Sequence, residues 1–312
     1  MRRLLFQKCL RAIVTIWLCV TFVFVILRLS GDPALTILPV NLVTPELQAQ
    51  FREDWGLDDP LPVQYLRYFG SIFEGDMGFS FRDGRRATTV VAERLPKTLQ
   101  LLLLSAVATL VIGIPAGVFA ALRKNSLGDR GIMLAAVLGY SVPNFFLGVL
   151  LILVFSVALR VLPSSGSGAW SHLIMPVLCM SAAWAGIFAR FTRSAMLDVL
   201  NQDYVRAARA RGLLWRTAIW RHAFPNAAIP TVTLTGLYLG GLIVNSLVVE
   251  SVFAWPGIGR LLVDSVANRD LAVVQVIVLL AAVSMVVANL LVDLAYGWLD
   301  PRIRDATASA DR

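Results

Sequence analysis

Residues Thr98–Leu122 read TLQLLLLSAVATLVIGIPAGVFAAL, an apolar stretch without a single charge. A helix rises about 1.5 Å per residue, so about 20 apolar residues cross a hydrocarbon core about 30 Å thick. Comparable runs lie on both sides of it in the chain: Ala12–Leu29, Gly131–Leu159, His172–Ala189, about Ala227–Val249, and Leu271–Trp298. Together they predict an all-α polytopic membrane protein with six transmembrane helices and both termini on one side.

The composition agrees. Of 312 residues, 57% are hydrophobic and 15% charged, with a mean hydropathy of +0.72. Soluble chains have about 45–50% apolar and about 25% charged residues. The net charge of +8 would suggest nucleic acid on a soluble chain. Here the charges sit between apolar runs, where they set orientation instead, and no nucleic-acid partner is expected.

Arg and Lys collect before the first run (Arg2, Arg3, Lys8, Arg11), between the second and third (Arg123, Lys124, Arg130) and between the fourth and fifth (Arg190 to Arg221). They also collect after the sixth (Arg302, Arg304, Arg312). The short opposite loops carry only Arg160 in one and Arg260 and Arg269 in the other. The positive side is cytoplasmic, which places both termini inside. The first run is longer than a signal-peptide core of about 7–15 residues and its exit is a poor cleavage site, so it reads as a retained helix.

Residues 31–96 then lie outside. Their aromatics (Trp55, Tyr65, Tyr68, Phe69) suggest an ordered cap rather than a linker. Cys9, Cys19 and Cys179 have neither metal-site nor disulfide-framework spacing, and His172 and His222 fall in loops on opposite faces. No metal site is expected. There is no GxxxxGK[ST] loop for ATP and no HExxH or GxSxG.

Small residues at helical spacing mark close helix packing: Gly113 and Gly117, then Ala182, Ala185, Gly186 and Ala189. Pro143 falls roughly 18 Å into the third run and frees a backbone carbonyl beside Ser141 and Asn144. That trio either lines a pore or forms a plain packed kink. Asp293, one turn after Asn289, either pairs near a helix end or belongs to a gate. Asn245 and Glu250, late in the fifth run, are further gate or pore candidates, Glu250 opening the stretch to Arg260 at the outer mouth.

The fourth-to-fifth loop carries the strongest pattern. Asp203-Tyr204-Val205-Arg206-Ala207-Ala208-Arg209-Ala210-Arg211-Gly212 is a helix that Gly212 can end in left-handed geometry. A second short helix is expected to run until Pro225. Ala208 and Gly212, one turn apart, make a small-residue face for a partner groove, with Arg206 and Arg209 beside it. The alternative is a basic amphipathic helix on anionic lipid.

Residues 206–225 resemble the EAA loop of importer-type ABC permeases: Ala207, Ala208, Gly212 and Pro225 match, while Arg206, His222 and Phe224 depart from that pattern. The departures are similar to the DYxRxARAKG form of the dipeptide/oligopeptide/nickel branch. Gly31-Asp32-Pro33, Gly56 to Tyr65, Gly75 to Ser80, Glu93 to Thr98, Ser141 to Phe145, Trp255 to Gly259 and Asp300 to Arg304 follow in that branch's order. The long outside segment favours its first, B-type permease.

The resemblance implies a type I ABC importer permease fold: an N-terminal segment with helix 1 (1–30), a cap (31–96), a permease domain with coupling loop 190–226 (97–300), and a tail (301–312). It implies half of a translocation path in a bacterial inner membrane, not an enzyme. Its partners would be a second, C-type permease, two ATPases and an extracytoplasmic binding protein. No cofactor is held by this chain, ATP and Mg being used by the ATPases. The coupling residues would be Asp203, Tyr204, Arg206, Ala207, Ala208, Arg209, Arg211, Gly212 and His222. Asp58, Asp59, Glu74 and Trp255 would meet the binding protein. An ion-coupled carrier is disfavoured by the lack of midplane ionisable groups, and a membrane enzyme by the lack of a nucleophile, base or metal set. Substrates across the family include peptides, glutathione, opines and nickel complexes, with peptide the default.

Overall fold

The computed structural model describes residues 2–29, 44–46, 53, 58–80 and 82–299; side chains are described within these except at 2–9, 12, 27–29, 233, 240–241, 243–245 and 289–299. Helices dominate: α1 (Arg2–Leu29), α2 (Leu61–Glu74), α3 (Ala87–Leu122), α4 (Leu127–Ser141), α5 (Asn144–Leu151), α6 (Ser171–Leu200), α7 (Asp203–Ala210), α8 (Trp215–Ala218), α9 (Phe224–Val252), α10 (Ile258–Ala267) and α11 (Leu271–Leu299). Among the described residues the one β-type pairing is an isolated bridge between Phe79 and Arg86. Three helices there are long and apolar enough to cross a membrane: α3, α6 and Leu271–Ala288 of α11. A fourth crossing arises if α4 and α5, with its π-turn extension to Ala158, are counted as one broken span.

That span is not the single run expected from Gly131 to Leu159. Its two arms meet at 108°. The cause is local: a residue before proline is pushed out of the α region, and Val142 is extended at φ −85°, ψ 123°. Pro143 itself (φ −58°, ψ 139°) caps α5, and its carbonyl accepts from Leu147 N at 3.0 Å.

The chain divides into two compact units. The first holds Met1–Thr98 and Pro256–Val287. Within it α2 lies on α1 through aromatic rings: Phe24 to Tyr65 at 5.3 Å and to Tyr68 at 5.4 Å, with a 2.7 Å hydrogen bond between the Thr21 and Tyr65 hydroxyls. These contacts order the second half of the segment 31–96 against α1; the segment's first half lies largely outside the described residues. Ala87, Val90, Val91, Ile258, Val273, Val276 and Ile277 form the unit's apolar core. The hydroxyl of Thr98 accepts from Ile258 N at 2.8 Å, capping α10 where Gly257 has no side chain to do so.

The second unit holds Leu99–Trp255 and Ala288–Arg312. Its centre is Tyr238, fully buried against Trp184 at 4.8 Å and Phe188 at 5.8 Å, its hydroxyl 3.0 Å from that of Thr109. In lipid, close van der Waals packing holds helices together rather than release of water. The small-residue stripes supply it. A Cβ on Gly117 would fall 2.5 Å from the carbonyl oxygen of Ala189, and one on Gly186 2.5 Å from that of Ala136. Only glycine lets α3, α4 and α6 approach so closely.

Candidate functional site

The loop between α6 and α9 is built on a small apolar foot. Met196, Val205, Ile219, Ala223 and Ala227 pack with Val118 and Ala121 of α3. Val205 and Ala208 turn α7 inward, leaving the rest of that helix in solvent. Ala208 therefore does not join Gly212 in a face for a partner groove. The outward residues are Asp203, Tyr204, Arg206, Ala207, Arg209 and Arg211.

Helix α7 ends as its sequence foretold. Gly212 sits at φ +85°. Its N–H donates to Arg209 O at 2.9 Å, and Leu213 N donates to Ala208 O at 3.3 Å. These are the paired bonds of a Schellman cap. Arg209 lies over the Trp215 ring at 4.8 Å, fixing α8 against α7. Leu214, Trp215 and Trp220 are exposed beside it. The outward face thus combines arginines with three large apolar side chains.

The second short helix does not stop at Pro225. Helix α8 passes through a π-helical turn, Ile219–Ala223, straight into α9. Proline mid-helix lacks a donor and crowds the carbonyl four residues back, and a wider turn just before it relieves both. His222 is half-buried in that turn, and its carbonyl accepts from Asn226 Nδ2 at 2.7 Å.

A strut missed in the sequence supports the loop's root. Arg193 binds Asp129 through two hydrogen bonds of 2.6 and 2.7 Å, with Asp129 3% exposed and Arg193 24%. Asp129 also accepts from Asn125 N at 2.8 Å, while its own N–H donates to the N-cap Ser126 at 3.2 Å. The guanidinium, against the cost of burial, holds the Asp129 carboxyl below the usual carboxylate range. Nothing local in the sequence pairs Asp129 with Arg193, which lie 64 positions apart.

The other sequence candidates scatter. Ser141 and Pro143 are exposed at the α4–α5 break, and Asn144 is half-buried, its carbonyl meeting Cys179 Sγ at 3.1 Å. Glu250 is fully buried and Trp255 is 1% exposed within the Phe253, Met175 and Tyr238 cluster. Trp255 is thus a core anchor and not a docking residue, and Glu250 does not open onto a mouth of this chain. Asp58 and Glu74 are exposed; Asp59 pairs with Arg67 at 2.8 Å. Asn245, Asn289 and Asp293 lie on α9 and α11 with side chains outside the described residues, as does the Asp300–Arg304 stretch.

Apolar helices locked by glycine contacts, and between two of them a braced loop presenting arginines and tryptophans, define a helical membrane component with one basic, partly apolar surface loop. The chain belongs to the family of binding-protein-dependent transport system inner membrane components, the permease subunits of ABC importers, whose model matches residues 113–305, with the family's N-terminal model matching 1–102. It is 42% identical over 303 residues to the glutathione transport system permease protein GsiC of Escherichia coli K12, covering 96% of this chain and 97% of that one. It is 38% identical over 292 residues to the oligopeptide transport system permease protein AppB of Bacillus subtilis, covering 90% and 92%. Among solved structures, the inward-facing MetNI methionine ABC transporter matches with a TM-score of 0.52 at 19% identity, over 66% of this chain and 96% of that one. An amino acid ABC transporter matches at 0.50 and 20%, over 66% and 92%. These two show the shared fold.

Proposed function

We propose that this chain is the B-type half of a peptide import path, driven by separate ATPases that dock on residues 203–222. The observation that carries this is the α7–α8 element. It is pinned from within by Val205, Ala208, Ala218 and Ile219, and its exposed side offers Tyr204, Arg206, Arg211, Leu214 and Trp220. Exposed tryptophans beside arginines are the composition of binding hot spots. Two relatives named for glutathione and oligopeptide transport support a peptide-like cargo.

The full reading has six crossings in the bacterial inner membrane with both termini cytoplasmic, an orientation that the Arg and Lys distribution supports. A C-type permease completes the path, two ATPases hydrolyse ATP, and an extracytoplasmic binding protein delivers cargo to the cap around Asp58, Asp59 and Glu74. ATPase closure moves the loop, and the two permeases rock between outward and inward access. The test is a mild-detergent pull-down of the tagged chain from its native membrane. Two ATPase chains and a second permease are expected; a lone chain or homo-oligomer in several detergents overturns the reading.

A further inference from the structure

In the second unit Gly113 and Gly117 seat α3 on the backbone of α6, and Gly186 seats α6 on Ala136 of α4; a Cβ at any of the three would fall 2.5 to 2.7 Å from a backbone oxygen. With α3 and α4 both leaning on α6, an apolar groove of about 460 Å³ remains, lined by Ile112 and Ala116 of α3, Ile132 and Ala135 of α4, and Ala182 and Gly186 of α6. No charged residue lines it, and its serine, Ser181, is satisfied by donating to Leu178 O at 3.2 Å. On α3 the groove face continues at helical spacing through Ile112, Ala116, Phe119 and Arg123. The Phe119 ring lies against α4 at Gly128, where a Cβ would fall 3.1 Å from it, and the Arg123 guanidinium stacks on that ring at 4.5 Å. The groove face thus ends in an aromatic ring with a guanidinium upon it. The charge at that end is not balanced: Arg123, Lys124, Arg130 and Arg193 stand against Asp129, four cations to one carboxylate, a net of +3. Asp129 is buried and committed to Arg193 and, through space, to Arg130. Among the described residues no carboxylate pairs with Arg123 or Lys124. Only residues 123–126 join α3 to α4. Both helices belong to segments apolar enough to cross a membrane, so this short turn lies at the bilayer surface whichever face is cytoplasmic.

We propose that this is a binding site for one anionic phospholipid, its phosphodiester headgroup on Arg123 and Lys124 and one acyl chain in the groove between α3 and α4. A guanidinium fork matches two phosphate oxygens, and charge-assisted bonds of this kind are the strong ones. An acyl chain gains little hydrophobic free energy on leaving the bilayer for the groove. The groove therefore supplies contact and position, and the cations supply the selectivity. An apolar groove at membrane depth with unbalanced cations at its surface end is the complement of an amphiphile. A free phosphate would leave the groove unused, and a partner helix would leave the cations unused.

The test is native mass spectrometry of the full-length chain in detergent, titrated with dioleoyl phosphatidylglycerol or with phosphatidylcholine of the same chains. At about fivefold per basic residue, one phosphatidylglycerol should be held about tenfold or more tightly than phosphatidylcholine. Arg123→Gln with Lys124→Gln, both at exposed side chains, should abolish that preference, and Arg123→Lys should keep most of it. Ala135→Phe and Ile112→Trp, one from each helix beside the groove and both exposed, should weaken both lipids severalfold by filling it, with helical content unchanged in circular dichroism. Equal retention of the two lipids by the native chain, or an unchanged preference in the double Gln variant, overturns the headgroup site. Unchanged binding in both groove-filling variants overturns the place of the chain. Displacement of the lipid by millimolar inorganic phosphate makes this a free-anion site, and its loss on adding a second permease gives the groove to a partner helix; either overturns the lipid as occupant.

Discussion

Asp129 and Arg193 show what one pair can do. Removing one partner of a fully buried ion pair costs about 3–5 kcal/mol. A quarter of Arg193 remains in solvent, so Asp129→Asn is expected to cost about 2–3 kcal/mol, read as a lowered midpoint in detergent melting. The pH dependence follows from the depressed carboxyl. Its stabilisation is complete above the unfolded value near 3.8 and disappears as pH falls through the lower folded value. The native chain should lose stability in acid over that window, and Asp129→Asn should lack that component. At Gly212 the backbone is at φ +85°, and proline is confined near −65°. Gly212→Pro should leave the membrane helices intact but uncouple ATP hydrolysis from transport in reconstituted vesicles. Full coupling in that variant would sink the docking assignment. Of these residues Gly212 was legible from its place after a helix-forming run. Arg193 was not, because a basic residue flanking an apolar run has an orientation role that hides a specific partner.

The glycine stripes on the helices are testable one by one. Gly117→Ala places a methyl group 2.5 Å from a backbone oxygen, so α3 and α6 must part; overpacking of this kind costs about 1–3 kcal/mol. Gly131→Ala, with open space around it, should be neutral or stabilising by a few tenths to about 1 kcal/mol. Equal melting shifts for the two would mean that α3 and α6 do not touch there. The helices and their close-packing faces were readable because hydropathy and small-residue spacing are local signals. The bend of 108° was not: proline at Pro143 announced an irregularity, but two consecutive extended residues set its size. The passage of α8 into α9 was misjudged for the converse reason, since a π turn can absorb a proline that a regular α-helix cannot.

At the scale of the molecule, the charges of the cap belong with its proposed binding-protein contact. Reversing Asp58 and Glu74, which are exposed, should lower transport at limiting binding protein and make its docking less sensitive to salt, with basal ATPase unchanged. Unchanged docking would assign the contact elsewhere. The class was legible from composition alone, and helix α7 with its Gly212 end from the helix-forming run before that glycine. Trp255 was misread because an aromatic in a short outer loop looks exposed until the core that receives it is seen.

The uninterrupted helical run from Trp215 through the π turn to Val252 has a mechanical meaning. At about 1.5 Å per residue it is a rod roughly 55 Å long. One end carries Trp215 and Trp220 at the surface; the other ends beside the buried Phe253 and Trp255. A tilt of about 10° about its midpoint would carry each end roughly 5 Å, in opposite directions. Tilted as one body, such a rod would be a lever: a push at one tip would be delivered inverted at the other.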